Sequence, residues 1–187
     1  MNLPLVSIIT PSYNSSKFIE ETIASVQAQT YSYWEMLITD DGSTDNSLEI
    51  VQQFQDERII LINQENKGLA KTLNIALSKC RSNLVARMDA DDVCLPNRLQ
   101  IQYNSFKSNP NLILLGGAVI YIDEKGDVVD RSYPILGTNA IKKFLFCKGN
   151  VLAHPTVMFK KDIALKVGGY SEEIGQFFED HYLWAMM

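Results

Sequence analysis

An α/β fold is predicted, with a sheet that is mostly parallel in the first half of the chain and antiparallel in the second. Three observations predict it. Short β-branched runs alternate with helix-period segments from Val6 to Met88, the pattern of strands joined by crossover helices. Each of these strands is followed by a polar cluster rich in Asp, Asn, Ser or Gly. After Lys107 the alternation stops and a hairpin pattern takes over.

The elements follow in order. Val6-Ser-Ile-Ile-Thr10 is β-branched and bounded by Pro11, Asn14 and Ser15, which predicts a buried first strand and a turn. Ser16 is the expected N-cap of a helix that puts Phe18, Ile19, Ile23 and Val26 on one face. The pattern repeats as strand Glu35 to Thr39, turn Asp40 to Ser43, helix Asp45 to Gln53 and strand Ile59 to Ile62. Helix Leu69 to Lys79 and strand Leu84 to Met88 complete the series. A helix is expected from Asn97 to Lys107. Leu112 to Asp123 and Val128 to Tyr133 read as a hairpin around Glu124-Lys125-Gly126-Asp127. Ala140 to Phe146 predicts a short helix, Thr156 to Phe159 a strand, and Gly168-Gly169 a break. Glu179 to Met187 is helical in pattern without a stop signal, so a larger parent protein is expected. Residues 1–187 are read as one domain, with a nucleotide-binding half over 1–95 and an acceptor-side half over 96–187.

Composition excludes several classes of function. With 187 residues, 46% hydrophobic and 21% charged, the chain has the balance of a globular domain able to bury a core. A net charge of −5 gives no broad attraction to nucleic acid or anionic lipid, and nucleic acid is not an expected partner. The longest apolar stretches are strand-sized, and the N-terminus has no charged leader region. A cytoplasmic protein is expected, at most peripheral on the inner face of a membrane through missing parts or through its acceptor. Cys80, Cys94 and Cys147 are odd in number and lack a CxxC pair, so they are expected to be reduced core or boundary residues.

The densest chemistry is Arg87-Met-Asp89-Ala-Asp91-Asp92, three carboxylates in four positions at a strand end. In an extended segment Arg87, Asp89 and Asp91 point one way and Met88 and Ala90 the other. Carboxylates this close repel, and hard oxygen ligands suit Mg²⁺ or Mn²⁺, which completes its shell with water and phosphate. A solvated acidic turn is the alternative. Asp40-Asp41-Gly42-Ser43-Thr44-Asp45 fits turn and helix-cap chemistry, but Asp41 could also accept from the N3–H of uracil while Tyr13 stacks on the base. An EF-hand register fails, because Leu37, Thr39 and Leu48 would occupy ligand positions. There is no G-x-G-x-x-G and no P-loop, which leaves phosphate charge to a metal and to Lys71 or Arg98.

Taken together, Ile8 to Asn14, Asp40 to Asp45, Asn66-Lys-Gly-Leu69, Ala86 to Asp92 and Pro96-Asn-Arg98 form an ordered set of motifs. His154-Pro-Thr156, Gly168-Gly-Tyr170 and Glu179-Asp180 with Leu183-Trp184 continue it over nearly the whole chain. The set resembles glycosyltransferase family 2, of the GT-A fold with its Rossmann-like nucleotide-binding sheet. The resemblance implies an inverting sugar transferase that uses a nucleotide-diphosphate sugar, usually UDP-linked. It implies that Pro11, Tyr13 and Asp41 hold the nucleotide, that Asp89 and Asp91 contact the donor, and that Asp91 and Asp92 bind Mn²⁺ or Mg²⁺. Lys71 is implied by location as a diphosphate contact. Asp180 matches the general base, with Glu179 and Trp184 on the acceptor side, and the implied acceptor is a glycan or lipid-linked sugar in cell-surface polysaccharide or glycolipid synthesis. The chain departs from the family pattern at Tyr182 and Met186, where an acidic residue and an arginine are common, and at Ser82-Asn83, where a glycine is common.

Two other classes stay open at this point. A sugar-nucleotide nucleotidyltransferase would need a glycine-rich first turn with a basic residue, where this chain has Pro11-Ser-Tyr-Asn14. A non-catalytic nucleotide-sugar binding module would need no base such as Asp180. His154 alone is expected to be structural.

Overall fold

The computed structural model describes residues 5–174 and 178–187. Its centre is a six-stranded sheet. The parallel part comprises β1 (Val6–Ser12), β2 (Trp34–Asp41), β3 (Ile59–Gln64) and β4 (Leu84–Arg87). Helices α1 (Ile19–Gln27), α2 (Ser47–Gln52) and α3 (Leu69–Lys79) make the crossovers between them. The mostly parallel sheet predicted from the alternation is therefore present. Strands β1 to β3 run past the apolar runs that mark them, whereas β4 stops at Arg87, one position before Met88.

The second half adds strands to the same sheet. After α4 (Arg98–Ser108) comes the two-residue β5 (Leu114–Leu115), then β6 (Ile120–Ile122) and β7 (Val128–Arg131), which pair with each other as a separate antiparallel ribbon. Helix α5 (Thr138–Cys147) and a 3₁₀ turn over His154–Thr156 lead into β8 (Met158–Lys160), which runs antiparallel between β4 and β5. Two short helices follow, α6 (Lys161–Lys166) and α7 (Glu179–Met186).

Side-chain alternation explains why the sheet is covered on both faces. Ile8, Met36, Ile38, Ala86 and Met158 join the core beneath α1 and α4. Their neighbours Ile9, Leu37, Val85 and Phe159 point the other way, to Leu73 and Leu77 of α3 and to Leu183 and Trp184 of α7. Every residue of β2 is buried, as a central parallel strand requires.

Several boundaries differ from expectation. Ser16 does not cap α1, which starts at Ile19. The Ser15 carbonyl instead accepts from the amides of Phe18 and Ile19, and no side chain caps the helix. The long hairpin expected from Leu112 to Tyr133 is cut short, because Leu114–Leu115 pairs with β8 instead. Gly116 and Gly117 interrupt it, and a Cβ at Gly116 would stand 2.9 Å from Leu152 Cδ2. The expected strand over Thr156 to Phe159 begins only at Met158, and α6 has no counterpart among the expected elements. Cys80 and Cys94 are buried as expected, whereas Cys147 is exposed at the end of α5, outside any core.

Candidate functional site

Strand order reverses between β1 and β4: β2 and β3 lie to one side of that pair, β8 and β5 to the other. In an open α/β sheet, ligands bind beyond the carboxyl ends of strands at such a switch point. The loops after β1 and β4 do enclose a cleft of about 230 Å³ there, lined by Pro11, Tyr13, Asn14, Ser15, Phe18, Asp89, Ala90 and Asp91.

The loop after β1 is laced to the loop after β2. Asn14, at φ 51°, accepts from the Thr44 amide at 2.8 Å, and its own amide donates to Ser43 Oγ at 2.9 Å. Asp40 accepts from the Ser43 amide and hydroxyl, and Asp45 from the amides of Ser16 and Ser47. Burial pushes the Asp45 carboxyl up, but these bonds outweigh it and hold the group far below the usual carboxylate range. Both acids are thus consumed by turn and cap chemistry.

Asp41 differs from both. Its carboxylate reaches across to the turn before α3 and accepts from Gln64 Nε2 at 2.7 Å, the Lys67 amide at 2.8 Å and the Gly68 amide at 2.9 Å. Burial raises its pKa, and these donors more than reverse the rise. Gly42 beside it adopts φ +77°, and a Cβ there would fall 2.8 Å from the Asn66 amide, so no larger residue fits.

Beyond β4 the acidic segment turns. Met88 and Ala90 are buried, Asp91 is exposed, and Asp89 and Asp92 are half-buried, which keeps the predicted two-sided arrangement. Carboxylate oxygens of Asp89, Asp91 and Asp92 all lie within 4.8 Å of one another. Burial, then repulsion from Asp89 and Asp91, pushes Asp92 up to about 6. A divalent cation relieves that repulsion with the hard oxygen donors it prefers, so the residues fit Mg²⁺ or Mn²⁺. Arg87 is buried, forms an ion pair with Asp89, and has no hydrogen-bond partner for Nε among the described residues. Arg98 does not face the cleft as a free phosphate ligand: one of its nitrogens donates to the Arg87 carbonyl at 2.8 Å and another to Gln102.

The second half contributes a further pair of carboxyls. Asp180 and Glu179 open α7, and Asp180 accepts from Asn150 Nδ2 at 2.5 Å and from the His181 amide at 2.6 Å. Burial raises the pKa of both carboxyls, and the nearby Arg87 partly offsets the rise at each. Glu179 also feels the charge of Asp89, which places the two acidic groups in one electrostatic environment. Trp184 is buried in an aromatic group with His154, Phe159 and Tyr170, with ring centroids 5.4 to 6.2 Å apart. His154 Nε2 lies 3.2 Å from the Tyr170 hydroxyl. Burial, and then Arg87, hold the His154 pKa well down, so its 3.9 Å approach to Glu179 joins a neutral imidazole to a carboxyl and is no ion pair.

Of the residues predicted for the site, Pro11, Tyr13, Asp89 and Asp91 share one cleft, with Asp92 completing the acidic cluster. Asp41 and Asp180 do not line that cleft, and neither does Lys71. Lys71 lines a second cleft of about 280 Å³ with Lys67, Gly68, Ser171 and Glu172. Glu179 and Trp184 are buried and face no open cleft surface. Sequence reasoning assigns no role to Asn150, which holds Asp180, or to Asn74. The Asn74 side chain donates to the Tyr170 carbonyl at 2.8 Å and accepts from the Tyr170 amide at 2.9 Å. The available signal for Asn74 is that it interrupts the apolar face of α3 beside Leu73. No local signal marks Asn150.

The comparisons agree with this geometry. The profile of Glycosyl transferase family 2 matches residues 7–168. The O-antigen biosynthesis glycosyltransferase WbnJ of Escherichia coli is 37% identical over 97% of this chain and 71% of its own length. The UDP-Glc:alpha-D-GlcNAc-diphosphoundecaprenol beta-1,3-glucosyltransferase WfgD of Escherichia coli is 42% identical over 56% of the chain and 42% of its own. Among solved structures, S. aureus TarS 1-349 in complex with UDP superposes with TM-score 0.73 at 22% identity, over 95% of this chain. The mannosyltransferase PcManGT of Pyrobaculum calidifontis, solved with GDP-Man and Mn²⁺, gives 0.71 at 19% over 98%. The chain spans about half the length of these two structures, 53% and 51%. The fold they share is the GT-A fold, and the profile match covers both the switch-point cleft and the strand that closes the sheet. The chain belongs to glycosyl transferase family 2.

Proposed function

We propose that the protein transfers a sugar from a nucleotide-diphosphate donor, UDP-linked, to an acceptor hydroxyl with inversion at the anomeric carbon. The observation that carries this reading is the convergence of two acidic groups on one sheet edge. Asp89, Asp91 and Asp92 follow β4 beside Pro11 and Tyr13, and the carboxyls of Glu179 and Asp180 stand within the field of Arg87. In the proposed arrangement Tyr13 and Pro11 flank the base, and Asp41 accepts a hydrogen bond from it. Asp89 and Asp91 face the ribose and diphosphate, and Asp91 and Asp92 hold Mn²⁺ or Mg²⁺. Such an ion supplies Lewis-acid stabilisation of the leaving diphosphate. Lys71, in the neighbouring cleft, serves the diphosphate only if the donor extends over Gly68.

A sugar hydroxyl is a poor nucleophile, and a positioned carboxylate can take its proton as the new bond forms. Asp180 is suited to this: burial moves its pKa toward neutrality, and Asn150 fixes its orientation. The acceptor oxygen bonds to the anomeric carbon, the bond from that carbon to the diphosphate breaks, and the proton passes to Asp180. Glu179 and Trp184 support the acceptor wall. An acceptor in polysaccharide or glycolipid synthesis is favoured by the names of WbnJ and WfgD.

The test is a panel of UDP- and GDP-sugars incubated with Mn²⁺ or with EDTA, followed by assay of released nucleoside diphosphate. Release of UDP from at least one donor, lost in EDTA, is expected. Failure of every donor to bind or react in either buffer would overturn the reading.

A further inference from the structure

The net charge of −5 conceals an uneven distribution. From Arg131 to Lys148 the chain carries four basic residues, Arg131, Lys142, Lys143 and Lys148, and no acidic one. All four are exposed, and among the described residues none pairs with a carboxylate. The same segment displays three large apolar side chains to solvent: Tyr133 is 90% exposed, Leu136 81% and Phe146 71%.

Helix α5 organises part of this surface. Its inner face, with Ile141 and Leu145, packs into the cluster that contains Leu183 and Trp184 of α7. Its outer face carries Lys142 and Phe146 one turn apart, with Lys143 beside them, so cationic and apolar groups share one side. The helix is tied to the proposed acceptor wall at two points. His181 Nε2 bonds the Leu145 carbonyl at 2.7 Å, and Asn150, just beyond the helix, holds Asp180.

We infer that the outer face of α5 and the loop before it form a docking surface for an anionic lipid bilayer. Apolar side chains set among lysines suit the headgroup boundary, where Phe146, Leu136 and Tyr133 enter and the lysine stems lie along the interface. Charge complementarity selects this partner. Elsewhere the chain is acidic and is repelled by an anionic surface, so the bare basic segment fixes which side approaches. Docked this way, α5 lies between the bilayer and α7, and Asp180 stands one helix away from the lipid. A sugar acceptor anchored in that lipid is presented to the acceptor wall. The inference rests on the sugar-transfer reading for that last step alone; the contact with lipid is independent of it.

The experiment is vesicle co-sedimentation of the protein without donor, comparing phosphatidylcholine alone with phosphatidylcholine containing about 30% phosphatidylglycerol, at low and high salt. Binding only to the anionic vesicles, weakened by salt, is expected. Lys142→Glu/Lys143→Glu should reduce it by at least about 25-fold, taking roughly fivefold for each lysine lost. Phe146→Ser and Leu136→Ser, one on the helix and one in the loop, should each weaken it, while Lys107→Glu on the exposed side of α4 should not. Equal binding to both vesicle types would overturn the proposal, as would undiminished binding by the double variant. A self-association removed by Phe146→Ser with no vesicle binding would assign the face to a second copy instead. Nucleoside diphosphate release from soluble donor, measured on the same variants, should be unchanged, so loss of sugar transfer and loss of docking are read separately.

Discussion

Asp92 is the residue whose environment is least comfortable in the absence of a cation. Its pKa of about 6 stands above that of an unfolded aspartate, so the folded state binds the extra proton between roughly pH 4 and 6. The stabilising effect of that proton is present below the unfolded pKa and is lost as pH rises through about 6. At neutral pH in EDTA, Asp92→Asn should therefore melt at a higher temperature than the parent. The difference should shrink as pH falls to about 5, and the variant should lose any stabilisation by Mn²⁺. A lower melting temperature for the variant in EDTA would show that the carboxylate's bonds to its surroundings outweigh its repulsion from Asp89 and Asp91.

Binding and catalysis should separate at Asp180. Replacement by Asn keeps its size and removes the proton acceptor, so transfer should fall by about 10² to 10⁴-fold with UDP affinity nearly unchanged. In the parent, burial raises the pKa, so the ionised base accumulates only as pH climbs above the usual carboxylate range. Transfer rate should rise with pH through that ionisation, and a pH profile read beside calorimetric UDP binding checks both statements. Near-parental transfer by Asp180→Asn would move the role to Glu179.

At the residue scale the sequence exposes what local chemistry determines. Asp89, Asp91 and Asp92 crowd together because they are neighbours in sequence, and the cluster is visible without any fold. The distinction among Asp40, Asp41 and Asp45 is less accessible. It depends on Asp41 meeting the amides of Lys67 and Gly68, a contact spanning 26 and 27 positions. Ser82 shows a departure from the family pattern whose reason emerges only in the structure. Its hydroxyl donates to the Leu5 carbonyl and accepts from the Leu84 amide, so the side chain ties the turn before β4 to the start of the sheet.

Among the elements, the alternation of strands and helices up to β4 is legible because each parallel crossover repeats one hydrophobic period. The second half is harder to read. β5 and β8 are only two and three residues long, and short strands carry almost no period. This half is joined to the first by the ladder between β4 and β8, and side-chain bonding adds to it. Asn74 on α3 grips both backbone polar groups of Tyr170. Gly169 precedes it at φ +73°, where a Cβ would stand 2.7 Å from Asn74 Oδ1. Asn74→Ala should cost about 1 to 3 kcal/mol in denaturant unfolding, the cost of leaving those backbone groups unpaired. Gly169→Ala should also destabilise, through its positive φ and the close contact, and by less when Asn74 is already Ala. Additive costs in the double variant would mean that the two residues do not share one contact.

For the whole molecule, a ligand seated at the switch point touches loops from strands that are central to the sheet. Any nucleotide that binds the folded state alone must therefore raise global stability. UDP at about 100 times its dissociation constant adds about 2.7 kcal/mol. For a domain of this size that is a rise of roughly 5 to 10 °C in melting temperature. The rise should be smaller in EDTA than in Mn²⁺ at the same UDP concentration, because diphosphate charge would then face Asp89, Asp91 and Asp92 without a bridging cation. Equal shifts in the two buffers would remove the metal from donor binding. Among the described residues no helix is long and apolar enough to cross a membrane.

The grip of Asn74 on Tyr170 also bears on how such enzymes can be recombined. Helix α3, whose preceding turn is held by Asp41, carries further along the side chain that clamps the Gly168-Gly169-Tyr170 bend. A chimera that joins residues 1–95 of this chain to the remainder of a relative inherits position 74 from one parent and position 169 from the other. If the incoming half brings any residue larger than glycine, α3 must shift to admit it, and the turn held by Asp41 shifts with it. Grafts made at that seam should change donor handling even when every donor-contacting residue is kept, unless both positions travel together.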